Sequence, residues 1–273
     1  MKYNCCQQSG VCPKNKVCKP FNSQQQPWKR FTCECPIGYQ GKNCDQPIRS
    51  CQGHAGGSRM SGTYKILTAN GLSYKVYCHF DSYGAWTLMQ SYTFENGSAQ
   101  AKRQEFKLPI DENHSVSKNS PTWRGYRQGK PRMKSIEDNS AFMLFTCDYE
   151  KHQDFNKSDY LRIPLKEGNN SIVDIFQLAD GYTSISTYEG KIGGIQLKDC
   201  TIWLNHYNGW PLHVHILKDK AGCKLPQLAS ENSICKLGYQ FHYFGGYLTN
   251  CFDKAHFCVQ KNNSTSQLWF GHT

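Results

Sequence analysis

The chain has 273 residues, 15 cysteines and a formal net charge of +11 at pH 7. That length corresponds to one or two domains, and so many cysteines indicate an oxidising, extracellular compartment and argue against the cytosol. The positive charge favours acidic partners, either extracellular proteins or glycans, and the lack of a nucleic-acid-binding motif argues against nucleic acid. The chain has neither an apolar run of the roughly 18 residues that would span a membrane nor a signal sequence before Cys5, so we interpret it as a mature form or fragment of a secreted protein.

The first 46 residues are predicted to form a small β module that is held together by disulfides. Seven cysteines lie in the first 44 residues and eight in the remaining 229. A segment of this size buries too little apolar surface to be stable without crosslinks. The cysteine pattern is Cys6-x5-Cys12-x5-Cys18-x14-Cys33-x-Cys35-x8-Cys44. Spacing alone leaves 15 possible connectivities for six cysteines.

The end of this pattern resembles the EGF family. Residues 33–44 read Cys-Glu-Cys-Pro-Ile-Gly-Tyr-Gln-Gly-Lys-Asn-Cys, in which Gly38 and Gly41 suit turns that need positive φ. The resemblance implies the pairs Cys6–Cys18, Cys12–Cys33 and Cys35–Cys44, with Cys5 as an alternative to Cys6 in the first pair. No cofactor is expected, because the acidic residues of calcium-binding EGF modules are missing.

Residues 47–50 are interpreted as a linker, and residues 47–273 as a second domain that is mostly β within an α+β class and contains several disulfides. Strand-like runs cover residues 63–68 and 72–80, and Asn70-Gly71 between them predicts a hairpin. A further strand is predicted over residues 85–92. In the second run alternation places four apolar residues on one face, namely Tyr74, Val76, Cys78 and Phe80.

This region resembles the opening of a fibrinogen C-terminal-type domain. The matching residues are Cys51, Ser61-Gly-Thr-Tyr64-Lys-Ile66, Val76-Tyr-Cys78-His-Phe and Gly84-Ala-Trp86-Thr-Leu-Met-Gln90. The resemblance implies a disulfide between Cys51 and Cys78, and it weakens after about residue 95. It assigns no partner to the other cysteines of the domain, which are Cys147, Cys200, Cys223, Cys235, Cys251 and Cys258. An EGF-like module joined to such a domain is similar to secreted cnidarian matrix proteins, including some of the coral skeletal organic matrix.

Six Asn-x-Ser/Thr sequons predict a glycoprotein. Their asparagines are Asn96, Asn113, Asn156, Asn169, Asn262 and Asn263. A single sequon is unused about as often as it is used, so the prediction depends on their number beside the cysteines.

The basic segment from 101 to 134 is a candidate ligand-binding surface, because arginine and aromatic side chains stack on sugars and carboxylates. Its candidate contacts are Trp123, Arg124, Tyr126, Arg127, Lys130 and Arg132. The alternative interpretation is a solvated loop with two core aromatics.

A weaker candidate is a zinc site formed by His213 and His215 on one face of a strand and His206 across a turn. An exposed polar strand face explains these histidines more simply, because no carboxylate completes the set. Gly-x-Ser-x-Gly, His-Glu-x-x-His and phosphate-binding glycine loops are absent, so an enzyme is not expected.

The sequence therefore predicts a non-enzymatic protein of the extracellular matrix that functions in adhesion. A soluble lectin that recognises glycans through the second domain is the alternative. Because the number of cysteines is odd, at least one cannot pair within the chain, which suggests a disulfide-linked homodimer.

Overall fold

The computed structural model describes residues 6, 10–20, 31–82, 84–93, 104–167, 170–178, 181–206, 212–217, 240–244 and 264–273. This part of the chain is mostly β, with several disulfides. The strands are β1 (Val17–Pro20), β2 (Phe31–Glu34), β3 (Tyr39–Gln40), β4 (Gln46–Pro47), β5 (Gly62–Leu67), β6 (Ser73–Phe80), β7 (Ala85–Thr93), β8 (Gly125–Arg127), β9 (Phe142–Cys147), β10 (Tyr160–Pro164), β11 (Lys166–Glu167), β12 (Asn170–Ser171), β13 (Gly181–Ser186), β14 (Glu189–Ile192), β15 (Ile195–Lys198), β16 (Thr201–His206), β17 (His213–Leu217), β18 (Gln240–Tyr243) and β19 (Thr265–His272). The two α-helices are α1 (Lys130–Glu137) and α2 (Tyr149–His152).

The N-terminal unit contains two small antiparallel sheets, β1–β2 and β3–β4. Three disulfides crosslink it, and they are Cys6–Cys18, Cys12–Cys33 and Cys35–Cys44. These are the pairs that the EGF resemblance implies. The structure also decides between the two adjacent cysteines, since Cys6 is bonded to Cys18, while Cys5 lies outside the described residues.

Residues 47–50, the predicted linker, connect the two units and pack against the second one. Ile48 is 5% exposed and belongs to the main hydrophobic core. Its N–H donates to the Gly38 carbonyl at 2.7 Å, and its carbonyl accepts from Leu67 N at 2.8 Å. An apolar side chain that reaches the core turns this segment into a bridge between the units.

A nine-stranded antiparallel sheet organises the second unit, in the order β15-β14-β10-β9-β19-β7-β6-β5, with β8 also paired to β7. The predicted strands over 63–68, 72–80 and 85–92 are confirmed as β5, β6 and β7. The predicted hairpin is confirmed too, and Gly71 in its turn has φ +81°. The last strand, β19, enters the middle of the sheet between β7 and β9.

The two faces of this sheet carry different cores. The predicted inward face of β6 is confirmed, because Tyr74, Val76, Cys78 and Phe80 are all buried, and Cys78 is bonded to Cys51. This face shares one hydrophobic cluster with the apolar residues of a four-stranded sheet, ordered β13-β16-β17-β18. The opposite face is covered by an aromatic cluster that includes Trp86, Tyr149, Phe155 and Trp269.

Within the part of the chain that the structure describes, no helix has the length and apolar character needed to cross a membrane.

Candidate ligand-binding cavity

A cavity of about 510 Å³ opens on the surface where three segments of the second unit meet. The segments are the turn of the β5–β6 hairpin, the loop that precedes β8, and the first turn of α1. Its walls are formed by these residues: Thr68, Ala69, Asn70, Leu72, Asn113, Ser115, Lys118, Gly129, Pro131 and Arg132. Its concave shape and its volume are typical of sites that bind a small molecule or a sugar, which measure about 300–1,000 Å³.

The hairpin turn forms one wall and is held by its own hydrogen bonds. Thr68 N donates to Leu72 O at 2.9 Å, and Leu72 N donates to Thr68 Oγ1 at 2.9 Å. Gly71 N donates to Thr68 O at 3.0 Å, which closes the turn. Leu72 is 65% exposed, so the turn presents an apolar surface beside the side-chain amide of Asn70.

The opposite wall comes from the loop and from the start of α1. Val116 and Arg127 exchange two backbone hydrogen bonds of 2.9 Å, which tie the loop to β8. The loop approaches the start of the helix closely, since a Cβ built at Gly129 would lie 2.8 Å from Oδ1 of the exposed Asn113 side chain. Ser115 and the exposed Lys118 complete the loop side of the cavity.

Arg132 brings a fixed positive charge to the cavity. Its guanidinium carbon lies 4.2 Å from the centre of the Tyr74 ring. Nη1 donates to the carbonyl of Lys118 at 2.9 Å, to Asn119 Oδ1 at 3.0 Å and to Gln128 Oε1 at 3.3 Å. No carboxylate among the described residues forms an ion pair with it. Burial raises the pKa of Tyr74, so this ring stays neutral beneath the guanidinium.

Arg127, a predicted ligand contact, is fully buried, so that prediction is wrong for this residue. Its Nη1 donates to Leu108 O at 2.9 Å, and its Nη2 donates to Pro109 O at 2.5 Å and Glu112 O at 3.2 Å. Burial lowers the pKa of Arg127 to about 10, so the guanidinium is charged at neutral pH. Its role is to organise the loop that carries the cavity wall.

Tyr126 is also fully buried and is therefore excluded as a ligand contact, because β8 lies against β7 and turns this ring into the aromatic cluster. Trp123 is half-buried, with its ring 4.8 Å from Tyr77 and 5.2 Å from Tyr149. Arg124 is exposed and Lys130 half-buried, and neither lines the cavity.

Of the six predicted ligand contacts, only Arg132 thus lines the cavity. The sequence did not predict that the other residues of the cavity walls form a binding site. The hairpin turn lies some 40 residues before the loop in sequence, and no sequence pattern links the two. The one signal in the sequence that could have pointed to the loop side of the cavity was a cation, Lys118, close to the sequon at Asn113.

Of the three histidines of the predicted zinc site, only the His213 side chain belongs to the described part of the structure. His213 of β17 is paired in register with Asn205 of β16. His213 is 2% exposed. Over the ranges that the structure describes, no group of three or more His, Cys, Asp or Glu side chains could hold a metal ion.

The buried His79 lies between a hydroxyl and a carboxylate, an arrangement that resembles part of a catalytic triad. Its Nδ1 lies 3.0 Å from Ser61 Oγ, and its Nε2 lies 3.6 Å from Asp81 Oδ2. The Tyr149 hydroxyl approaches the same Nδ1 more closely, at 2.6 Å, and Asp81 Oδ1 accepts from Gly84 N at 2.7 Å. These contacts connect Ser61, just before β5, with β6 and α2. Ser61 and Tyr149 share the same histidine nitrogen, so His79 is not reserved as a base for a Ser61 nucleophile.

Two of the six sequon asparagines can be located, and both Asn113 and Asn156 are exposed. The others, Asn96, Asn169, Asn262 and Asn263, lie outside the described residues.

Neither a protein-family model nor a curated protein matches the sequence. The function is therefore inferred from the disulfides, the cavity and its charges.

Proposed function

We propose that this protein is a secreted, non-enzymatic glycoprotein of the extracellular matrix that functions in adhesion by binding other macromolecules. One observation carries the proposal: every cysteine in the described residues is disulfide-bonded, including Cys147 and Cys200. Thiols at this density stay oxidised outside the cytosol. The exposed asparagines of two sequons support the same compartment.

The proposal includes an EGF-like module followed by a fibrinogen-like domain. The three N-terminal pairs support the first assignment, because they join the first cysteine to the third, the second to the fourth and the fifth to the sixth. The bond between Cys51 and Cys78, which anchors the start of the second unit to β6, supports the other assignment. Modules of this kind bind through surfaces and loops that a rigid scaffold positions.

The test has two parts. The chain is produced through a secretory pathway, its free thiols are alkylated without reduction, and the labelled cysteines are counted by mass spectrometry. We expect one labelled cysteine at most in the monomer. The same material is then applied to a surface coated with extracellular-matrix extract, with reduced and alkylated protein as the control. Extensive labelling, or equal retention of native and reduced protein, would remove the proposal.

A soluble lectin is the second candidate, and the cavity favours it because amides, a hydroxyl and an apolar wall together suit a sugar ring. A glycan array probed with and without EDTA separates the two functions. A lectin binds a defined set of glycans, and calcium dependence would show that a metal site takes part. A matrix component is retained on the extract without such selectivity.

A further inference from the structure

The cavity between the β5–β6 turn and the start of α1 carries an inference about the class of ligand, and this inference rests on the proposed extracellular binding function. We propose that it binds an anionic saccharide, a sugar ring that bears a carboxylate or a sulfate, and that Arg132 contacts the acidic group. The charge, the preorganisation and the lining of the cavity each support this assignment.

Among the described residues, one edge of the Arg132 guanidinium has no hydrogen-bond partner. An arginine has five N–H donors in a planar fork. All the hydrogen bonds of this side chain to described residues come from Nη1. The other edge, formed by Nε and Nη2, offers two parallel donors, and this is the geometry that binds a carboxylate or sulfate in a bidentate manner.

The arginine is also held in place before any ligand arrives. Its stacking on Tyr74, whose side chain is only 4% exposed, and its bonds to the backbone of Lys118 fix the direction of the fork. A fixed side chain loses less conformational entropy on binding than a free one. The geometry is therefore that of a prepared anion contact.

The surroundings add positive potential. Lys118 also lines the cavity, and the first turn of α1, where Pro131 and Arg132 lie, contains no acidic residue. The acidic groups farther along α1 are already engaged, since Lys134 contacts Glu137 at 2.7 Å and Asp138 at 3.5 Å. The positive end of the α1 dipole favours an anion at the same place.

The rest of the lining suits a sugar ring better than a bare anion. Asn70 and Asn113 contribute amides, Ser115 contributes a hydroxyl, and the exposed Leu72 offers an apolar surface for the C–H face of a ring. The Thr68 hydroxyl is engaged within the turn, by Leu72 N and Asn70 Oδ1. The volume of about 510 Å³ lies within the range of small-ligand sites, about 300–1,000 Å³.

The sequon at Asn113 makes this site sensitive to modification. A glycan on Asn113 would begin inside the cavity, because both Asn113 and the acceptor Ser115 are part of its wall. Free ligand and an attached glycan would then compete for the same space. Ser115→Ala removes the sequon and keeps the Asn113 amide, but it also removes the Ser115 hydroxyl from the wall. It therefore tests the full chain without a glycan in the cavity, and further substitutions are compared within this same background.

The experiment measures binding of three disaccharides by calorimetry to the intact chain and to its Ser115→Ala variant. The probes are a hyaluronan disaccharide with a carboxylate, a sulfated heparin disaccharide and neutral chitobiose, so the first two distinguish carboxylate from sulfate. We expect one or both anionic probes to bind at least about 10-fold more tightly than chitobiose, the factor that one charge-assisted bidentate contact provides.

Substitutions at the fork and away from it locate the contact. In the Ser115→Ala background, Arg132→Met should weaken anionic binding about 10-fold or more, and Arg132→Lys should restore only part of it, because lysine has no fork. Arg124→Met is the matched control, since Arg124 is exposed and outside the cavity. Lys118→Ala removes an exposed cation, so it reports on the cavity even if Arg132→Met fails to fold.

The inference is overturned if Arg132→Met and Arg124→Met weaken binding equally, which would indicate a diffuse basic surface. Equal binding of chitobiose would also overturn it. The same result would follow if an acidic peptide, titrated in the same way, bound while no saccharide did. Retention on matrix extract is measured beside these assays. If the chain is retained on the extract but the cavity variants do not change saccharide binding, the inference fails and the proposed function stands. If the wild-type chain is not retained on the extract, the proposed function itself fails.

Discussion

Replacement of Arg127 by methionine distinguishes a buried structural arginine from a surface ligand contact. Methionine keeps the length and the apolar stem of the side chain and removes the charge and its donors. In the native structure these donors bind the backbone carbonyls of Leu108, Pro109 and Glu112. We therefore expect the substitution to destabilise the loop that precedes β8 and, through it, the whole second unit.

The magnitude follows from the carbonyls that lose their donor. Glu112 is exposed, so its carbonyl regains water, while those of Leu108 and Pro109 are partly or fully enclosed. Two buried acceptors left unsatisfied cost about 1–3 kcal/mol each, and relief from burying the guanidinium returns part of that. A net loss of about 3 kcal/mol corresponds to a decrease in Tm of roughly 6–12 °C for a domain of this size.

Thermal unfolding followed by circular dichroism measures this effect in Arg127→Met and in the control Arg124→Met. Arg124 is exposed, and its replacement should change stability by no more than about 0.5 kcal/mol. The reasoning would be refuted if Arg127→Met unfolded at the wild-type temperature but had lost ligand binding, because Arg127 would then be a surface contact.

Three further predictions concern the sheet, the pH response and the termini. Gly271→Ala should lower Tm far more than Gly62→Ala, because a Cβ at Gly271 would lie 2.3 Å from the Ala85 carbonyl, whereas one at Gly62 meets no atom within 4 Å; equal decreases would contradict the central placement of β19. Burial lowers the pKa of His54, so the unfolded chain binds the proton more readily than the folded one. The stability that neutral His54 contributes is complete above its ordinary pKa of about 6.5. It is lost as the pH falls below that value. His54→Gln should therefore reduce the fall in Tm between pH 7 and pH 5, whereas replacement of the exposed His152 should not. Non-reducing electrophoresis should show a dimer that Cys5→Ser abolishes, since Cys6 is already bonded to Cys18; a dimer that persists would assign the interchain bond to another cysteine.

The β5–β6 hairpin shows what could be predicted from sequence. Its alternating apolar residues and the Asn70-Gly71 turn fall within a short stretch of chain, and pleat and turn geometry depend only on such neighbours. The same local information placed β7.

The candidate site was predicted less well. Six basic or aromatic residues between 123 and 132 were expected to share a surface, yet Tyr126 and Arg127 are buried and only Arg132 lines the cavity. Composition marks a segment as basic, but a single arginine in it becomes an internal anchor if a loop such as residues 105–112 closes over it. Nothing in the sequence near Arg127 specifies that closure.

The sequence by itself determined the disulfide-rich character of this protein, its β content and the local hairpin, because these follow from residue types and from contacts between near neighbours. Only the tertiary structure decided that β19 lies between β7 and β9, that Ile48 joins the core, and that the hairpin turn faces Arg132 across a cavity. Each of these depends on contacts between residues far apart in the chain, where the burial of one side chain is set by whichever distant segment covers it.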